Sequence, residues 1–283
     1  MRILYILFII ILIYGITHRL AKCYIDKLPL RADIDKRAVF SLTTLPSRSK
    51  KIYPTIYSLL DQTLPLRIEI HIPEKANPES NKCYSFPESI KNHPNIEIIT
   101  HPIDLGPSMK FIPAMYKDRK GSPVHIISVD DDMIYPRNLA EKLVEAAEKD
   151  PLSIHCVRGN SFKGQASYYS SPTTYSHNIS TRKRVAIVTG CGGYIIPYPV
   201  AEKLKPIVGD YSKAPKECRI MDDVWISGLA TKLGIKKYVI PGVPKYSISI
   251  GAFFTPAYLN PGRERKNEVA IQYFNWDSGE IEK

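Results

Sequence analysis

The sequence predicts an α/β domain built on a mainly parallel sheet flanked by helices. Between Arg37 and Asp150, short β-branched runs alternate with segments of helical period. One of those runs, "VHIISV" at Val124 to Val129, is almost continuously apolar, the pattern of a central strand buried on both faces. A length of 283 residues is enough for one large core with a short appendage.

Taken in order, the chain opens on an apolar run, "ILYILFIIILIYGI" from Ile3 to Ile16, with Arg2 before it and His18, Arg19 and Lys22 after it. Its roughly 14 residues are few against the about 17–25 of a spanning helix, although the ends can be drawn in. The reading is a signal anchor over residues 1–18, followed by a charged stem over residues 19–37 and the α/β domain over residues 38–283. A cleaved signal peptide and a buried structural helix are the rival readings. No small-residue cleavage site follows the run. Positive charge is denser after the run (Arg19, Lys22, Lys27, Arg31) than before it, which leans toward a single-pass protein with a cytosolic domain. The one N-glycosylation sequon, at Asn178, would be used only in a lumen, so the side stays open.

In the domain itself, "RAVFSLTTLP" (Arg37 to Pro46) reads as the first strand. "KKIYPTIYSLLDQ" (Lys50 to Gln62) reads as a helix, with Ile52, Ile56, Leu59 and Leu60 on one face. "RIEIHI" (Arg67 to Ile72) and "NIEIIT" (Asn95 to Thr100) read as strands, and "SMKFIPAMYKD" (Ser108 to Asp118) as a helix with Pro113 as a defect. After "VHIISV" comes "RNLAEKLVEAAEKD" (Arg137 to Asp150), with Leu139, Leu143, Ala146 and Ala147 at helical spacing. Further on, "CRIMDDVWISGLATKLG" (Cys218 to Gly234) predicts a helix that Gly234 ends, with Asp222 and Asp223 in its first turns.

Composition narrows the function. The 39 Lys and Arg against 28 Asp and Glu give a net +11, which favours anionic partners such as nucleotides, phosphates or a membrane surface. The basic residues are scattered and do not alternate with aromatic ones, so no nucleic-acid partner is indicated. Five cysteines (Cys23, Cys83, Cys156, Cys191, Cys218) without a C-x-x-C pair indicate neither a disulfide framework nor a zinc site.

The chemistry gathers at "SVDDDMIYP". Asp130, Asp131 and Asp132 follow the central strand, at the edge where open α/β sheets place ligands. In an extended segment Asp130 and Asp132 point the same way and Asp131 the other. Two convergent carboxylates repel unless a hard divalent cation, Mn²⁺ or Mg²⁺, lies between them. A solvated acidic turn capping the next helix is the plainer alternative.

With "SLTTLPSR", "DLGPSMKFIPA", "GCGGYIIP" and "MDDVWISGLA" in this order from Ser41 to Ala230, the chain resembles the nucleotide-sugar-dependent glycosyltransferases of the GT-A fold, near the family 2-like group. The resemblance covers about two thirds of the chain and implies a nucleoside-diphosphate sugar as donor. It implies a carbohydrate or glycoconjugate hydroxyl as acceptor. Asp130 and Asp132 take the place of the metal-binding carboxylates, with manganese the usual ion and Asp131 toward the ribose. Thr43, Ser47 and Arg48 would face base and phosphate, Gly106 would let backbone approach a flat base, and Lys110 would meet a phosphate.

Gly192 and Gly193 match an acceptor-side loop where small residues leave room for a sugar. In the Asp222–Asp223 pair the second residue takes the place of the general base of inverting enzymes, with Asp222 orienting the acceptor. Trp225 either stacks on a sugar or lies in the core. Many relatives in the resembled group add a histidine metal ligand near the C-terminus, whereas the last histidine here is His177. The aromatic and basic segment from Gly251 to Trp276 reads as a lid or as a packing tail. A sugar-nucleotide nucleotidyltransferase should show a glycine-rich phosphate loop near the first strand, and "SLTTLPSRSKK" has none. A non-catalytic, membrane-anchored carbohydrate-binding protein is the other alternative.

Overall fold

The structure is a computed structural model that describes residues 2–25, 32–76, 81–170, 172–249, 262–276 and 281–282. Helix α1 (Arg2–Ile25) leads into β1 (Ala38–Leu42), α2 (Tyr53–Leu60), β2 (Arg67–Pro73), the short α3 (Glu88–Lys91) and β3 (Ile96–His101). A 3-10 turn (Gly106–Lys110), α4 (Ile112–Tyr116), β4 (His125–Ser128), β5 (Met133–Ile134) and α5 (Leu139–Lys149) follow. Next are β6 (Ile154–Cys156), β7 (Gly159–Lys163), β8 (Thr173–Tyr175), β9 (Lys183–Arg184), β10 (Ile187–Val188) and β11 (Tyr194–Ile196). Helices α6 (Tyr198–Val208) and α7 (Asp222–Lys232), strands β12 (Lys237–Val239) and β13 (Ser247–Ile248), helix α8 (Arg263–Gln272) and β14 (Ile281–Glu282) complete the order.

The main sheet runs β3-β2-β1-β4-β11-β6-β12-β9. Strand β1 is parallel to both neighbours, with Val39 opposite Arg67 of β2 and Ile126 of β4. All five of its residues are buried, as the apolar first-strand segment requires of a position with helices on both faces. Strand β11 is antiparallel to β4 and β6, and β12 returns to the direction of β6. Alternation along the strands divides the core. Val39, Ile126 and Ile196 pack toward α4, α6, α7 and α8, whereas Phe40, Leu42, Ile68 and Ile127 pack toward α2 and α5.

The segment expected as one helix from Ser108 is divided in two. Phe111 leaves helical geometry (φ −139°), and Pro113 sits in the first turn of α4, where its missing N–H costs nothing. The divided backbone turns Lys110 away from solvent between the buried Met109 and Phe111. Only three residues of "GCGGYIIP" form β11, after a 3-10 turn at Gly190–Gly192.

At the N-terminus, α1 carries exposed apolar side chains, among them Tyr5, Ile6, Phe8 and Ile11. Among the described residues no helix is long and apolar enough to cross a membrane. The structure does not show the spanning anchor expected over residues 1–18. The helix also continues to Ile25, into the segment expected as an irregular stem. Cys83, Cys156, Cys191 and Cys218 are free thiols.

Candidate active site

Parallel strands deliver their following loops to one edge of the sheet, and that edge collects the loop after β1, the 3-10 turn after β3 and the acidic turn after β4. Because β11 runs the other way, its lead-in turn at Gly190 reaches the same edge. The first turn of α7 brings Asp222 and Asp223 there as well. Five carboxylates from segments about ninety residues apart in sequence thus meet around two cations.

Lys110 is the first cation. Its Nζ lies 2.7 Å from Asp130 Oδ1, 2.6 Å from Asp222 Oδ2 and 3.4 Å from Asp223 Oδ1, with only 5% of the side chain exposed. Burial alone would lower the ammonium's pKa, but the carboxylates of Asp130, Asp222 and Asp223 raise it well above the ordinary value, so it stays charged. Arg48 is the second cation. Its Nη2 lies 2.8 Å from Asp131 Oδ1 and 2.5 Å from Asp132 Oδ2. Thr44 donates its hydroxyl to Asp131 Oδ2 at 2.5 Å, and Thr55 of α2 donates to the Asp131 carbonyl at 2.9 Å.

The backbone around the triplet is also tied. The Asp130 N–H donates to the Tyr135 hydroxyl at 2.8 Å, and that hydroxyl donates to the Gly190 carbonyl at 3.2 Å. The Gly190 N–H in turn donates to both carboxylate oxygens of Asp223, 3.1 Å from each. A Cβ at Gly190 would stand 2.3 Å from Lys110 Nζ and 2.5 Å from Asp130 Oδ1, so a larger residue there would have to displace this ion pair.

Burial, reinforced by the charges of Asp222 and Asp130, raises Asp223 to about 7, against the opposing pull of Lys110. Burial and the neighbouring Asp131 and Asp130 raise Asp132 to about 6, against Arg48. Asp131 is raised chiefly by burial. Carboxylates outnumber cations five to two, so the edge has room for added positive charge. Asp130 and Asp132 keep 28% and 30% of their side chains exposed while Asp131 keeps 7%, which leaves the outer two as hard oxygen donors reachable by a divalent ion and a diphosphate. Among the described residues no group of three or more His, Cys, Asp or Glu is placed to hold a metal, so a ligand would have to complete the shell.

Several expected roles change with the geometry. The triplet lies in a turn, not in an extended segment, so the two-residue alternation fails and Asp131 and Asp132 share Arg48 while Asp130 goes to Lys110. Lys110 is enclosed by carboxylates, which leaves it no exposed face for a phosphate. Asp222 turns inward to Lys110, and Asp223 is the more exposed of the pair. Gly106 (φ +63°) packs against the Arg219 carbonyl, with a Cβ there only 3.0 Å from that oxygen. Gly192 and Gly193 are buried, one against Arg158 and the other (φ +80°) against Leu139 and Val129, so Gly190 is the member of that run that meets the carboxylates.

Trp225 is a core residue. It is 1% exposed, stacks on Tyr211 with ring centroids 4.4 Å apart, and donates Nε1–H to the Val208 carbonyl. Ser47 shares the turn that carries Arg48, and Thr43 is half-buried beside Thr44. Thr44, Thr55, Tyr135 and Gly190 also contact the carboxylate cluster, although the sequence gives them no role there. Three of these lie inside quoted motifs, Thr44 in "SLTTLPSR", Tyr135 in "SVDDDMIYP" and Gly190 in "GCGGYIIP", whereas Thr55 reads only as a helix residue. Of the tail, α8 and Phe274 pack into the core beside α7, whereas residues 250–261, where a lid was expected, lie outside the described residues. A separate cavity of ≈180 Å³ between α4 and α6, lined by Tyr116, Arg119, Tyr198 and Lys205, touches none of the five carboxylates.

No protein-family model matches the chain, and no curated protein matches it. Among solved structures, a crystal structure of GalNAc-T7 with UDP, GalNAc and Mn²⁺ superposes with a TM-score of 0.53 at 12% sequence identity. The match covers 83% of this chain and 48% of that one, so the chain spans about half the length of this neighbour. The strand order, with one reversed strand beside the acidic turn, and the superposition agree: the chain has the GT-A-type glycosyltransferase fold.

Proposed function

We propose that the chain is a glycosyltransferase that moves a sugar from a nucleoside-diphosphate donor to a hydroxyl of a carbohydrate or glycoconjugate acceptor. The observation that carries this reading is the joining of two acidic groups at one sheet edge, Asp130–Asp132 after β4 and Asp222–Asp223 at the start of α7. One group is arranged for a charged donor and the other for proton removal. The neighbouring fold was solved with UDP and Mn²⁺, which agrees with the first assignment.

Asp130 and Asp132 would hold the Mn²⁺ or Mg²⁺, which when bound offsets the negative charge of the departing diphosphate. Arg48 keeps Asp131 and Asp132 in place, and the Thr44 hydroxyl fixes the inner carboxylate. Asp223 takes the proton of the acceptor hydroxyl as that oxygen attacks the anomeric carbon. Direct displacement of this kind inverts the configuration. The Gly190 N–H holds the Asp223 carboxylate from below, so its orientation is set before the acceptor arrives. The exposed apolar side chains of α1 support attachment of the N-terminal end, residues 1–18, to a membrane. The charges at Arg19, Lys22, Lys27 and Arg31 favour a cytosolic domain.

A screen of sugar nucleotides by thermal unfolding in Mn²⁺ tests the donor assignment. A true donor at about 100 times its dissociation constant stabilises the fold by about 2.7 kcal/mol, so one base and one sugar should stand out. If no sugar nucleotide raises the unfolding temperature in Mn²⁺ or Mg²⁺, the assignment fails.

A further inference from the structure

We propose that Lys110 is a positioning residue, a resident counter-cation that pairs with Asp130 when no donor is bound and so keeps a divalent ion from binding until the donor diphosphate brings further ligands. This inference rests on the glycosyltransferase reading above and assigns a task to a residue that the reading leaves without one.

The geometry is that of a built device. An ammonium has three N–H donors and no acceptor, and three carboxylates stand around this one, at 2.7, 2.6 and 3.4 Å. Lys110 cannot swing out to solvent, because Met109 and Phe111 on either side of it are fully buried and anchor the turn in the core. Above it, Gly190 leaves only the space that the ammonium and Asp130 fill. Asp130 belongs to the donor-side turn, whereas Asp222 and Asp223 belong to α7, so the one ammonium spans both halves of the site. A divalent ion that takes Asp130 must compete with this contact. With phosphate oxygens supplying additional ligands the competition favours the ion, and Lys110 then rests on Asp222 and Asp223 alone. The aspartate that holds the ion and the pair that handles the acceptor proton are thereby coupled through one side chain.

The test is Mn²⁺ binding to the full chain without nucleotide, followed by titration calorimetry, in wild type, Lys110→Met and Lys117→Met. Lys117 pairs with Glu69 and Glu97, away from the site, and controls for the change in net charge. Lys110→Met should bind Mn²⁺ at least about tenfold more tightly than wild type, a gain of about 1.4 kcal/mol, with Lys117→Met unchanged. Lys110→Met leaves buried carboxylates uncompensated, so the double variant Lys110→Met/Asp222→Asn, which removes one of them together with the ammonium, decides the matter if the single variant does not fold. A folded variant with unchanged or weaker Mn²⁺ affinity overturns the proposal. Wild type that binds no nucleoside diphosphate in Mn²⁺ would instead overturn the functional reading on which it rests.

Discussion

Asp223→Asn is expected to lower the turnover of sugar transfer by about 10²–10⁴-fold, the usual worth of a general base. The substitution keeps the size of the side chain and one oxygen to accept the Gly190 N–H, but it removes the group that takes the proton. Donor affinity, read from thermal stabilisation, should stay close to wild type, which separates a base from a ligand of the donor. In the wild type the same carboxyl is raised to about 7, so kcat/KM should climb with pH and level off above that value as the base ionises. The stability effect has the opposite sign. Between the ordinary carboxylate value and about 7 the folded state holds a proton that the unfolded chain has lost, so stability falls as pH rises through that window. Asp223→Asn is free of that loss and should gain stability relative to wild type as the pH is raised from 4 to 8.

Arg48→Met should cost about 3–5 kcal/mol of stability, the penalty for removing one partner of a buried ion pair. Arg48 is 12% exposed in its side chain and Asp131 only 7%, so little water can take over the guanidinium's place. Thr44 would remain as a side-chain donor to Asp131, while Asp132 would lose its cation. The loss should appear as a lower denaturant midpoint with an unchanged slope. In the double variant Arg48→Met/Asp131→Asn the buried charge is gone along with its partner, and part of the lost stability should return. A strictly additive double variant would contradict the coupling of these two side chains.

Much of the frame was legible because its signals are local. Strand β4 announces itself by an apolar run too short for a helix, and α5 by Leu139, Leu143 and Ala147 on one face, all three of which are buried. The division at Phe111 was less legible, since Pro113 is compatible with a kinked helix or with a fresh start, and only packing decides between them. The reversal of β11 has no local signature at all. It follows from pairing with β4 and β6, yet it is what carries Gly190 to the carboxylates.

In the site, the two acidic groups could be found from sequence because carboxylates crowded after a strand or at a helix start are conspicuous. Their partners could not. Lys110 lies 20 residues from Asp130 and 113 from Asp223, distances over which spacing says nothing about contact. Trp225 shows the reverse case, the core alternative of its two readings being the one seen. It stands two residues past Asp223, which on a helix of 3.6 residues per turn is the opposite face, so closeness in sequence here means separation in space. Thr44 was passed over for Thr43 because the chain leaves strand geometry after Leu42, and the period of two stops with it.

The most direct measurement is release of nucleoside diphosphate from sugar nucleotides by the purified chain in Mn²⁺, with and without acceptor sugars. The account predicts release from one donor, stimulated by an acceptor, abolished in Asp132→Ala and lowered about 10²–10⁴-fold in Asp223→Asn. No release from any donor, or release that survives both substitutions, would contradict it and leave the acidic edge without a catalytic role.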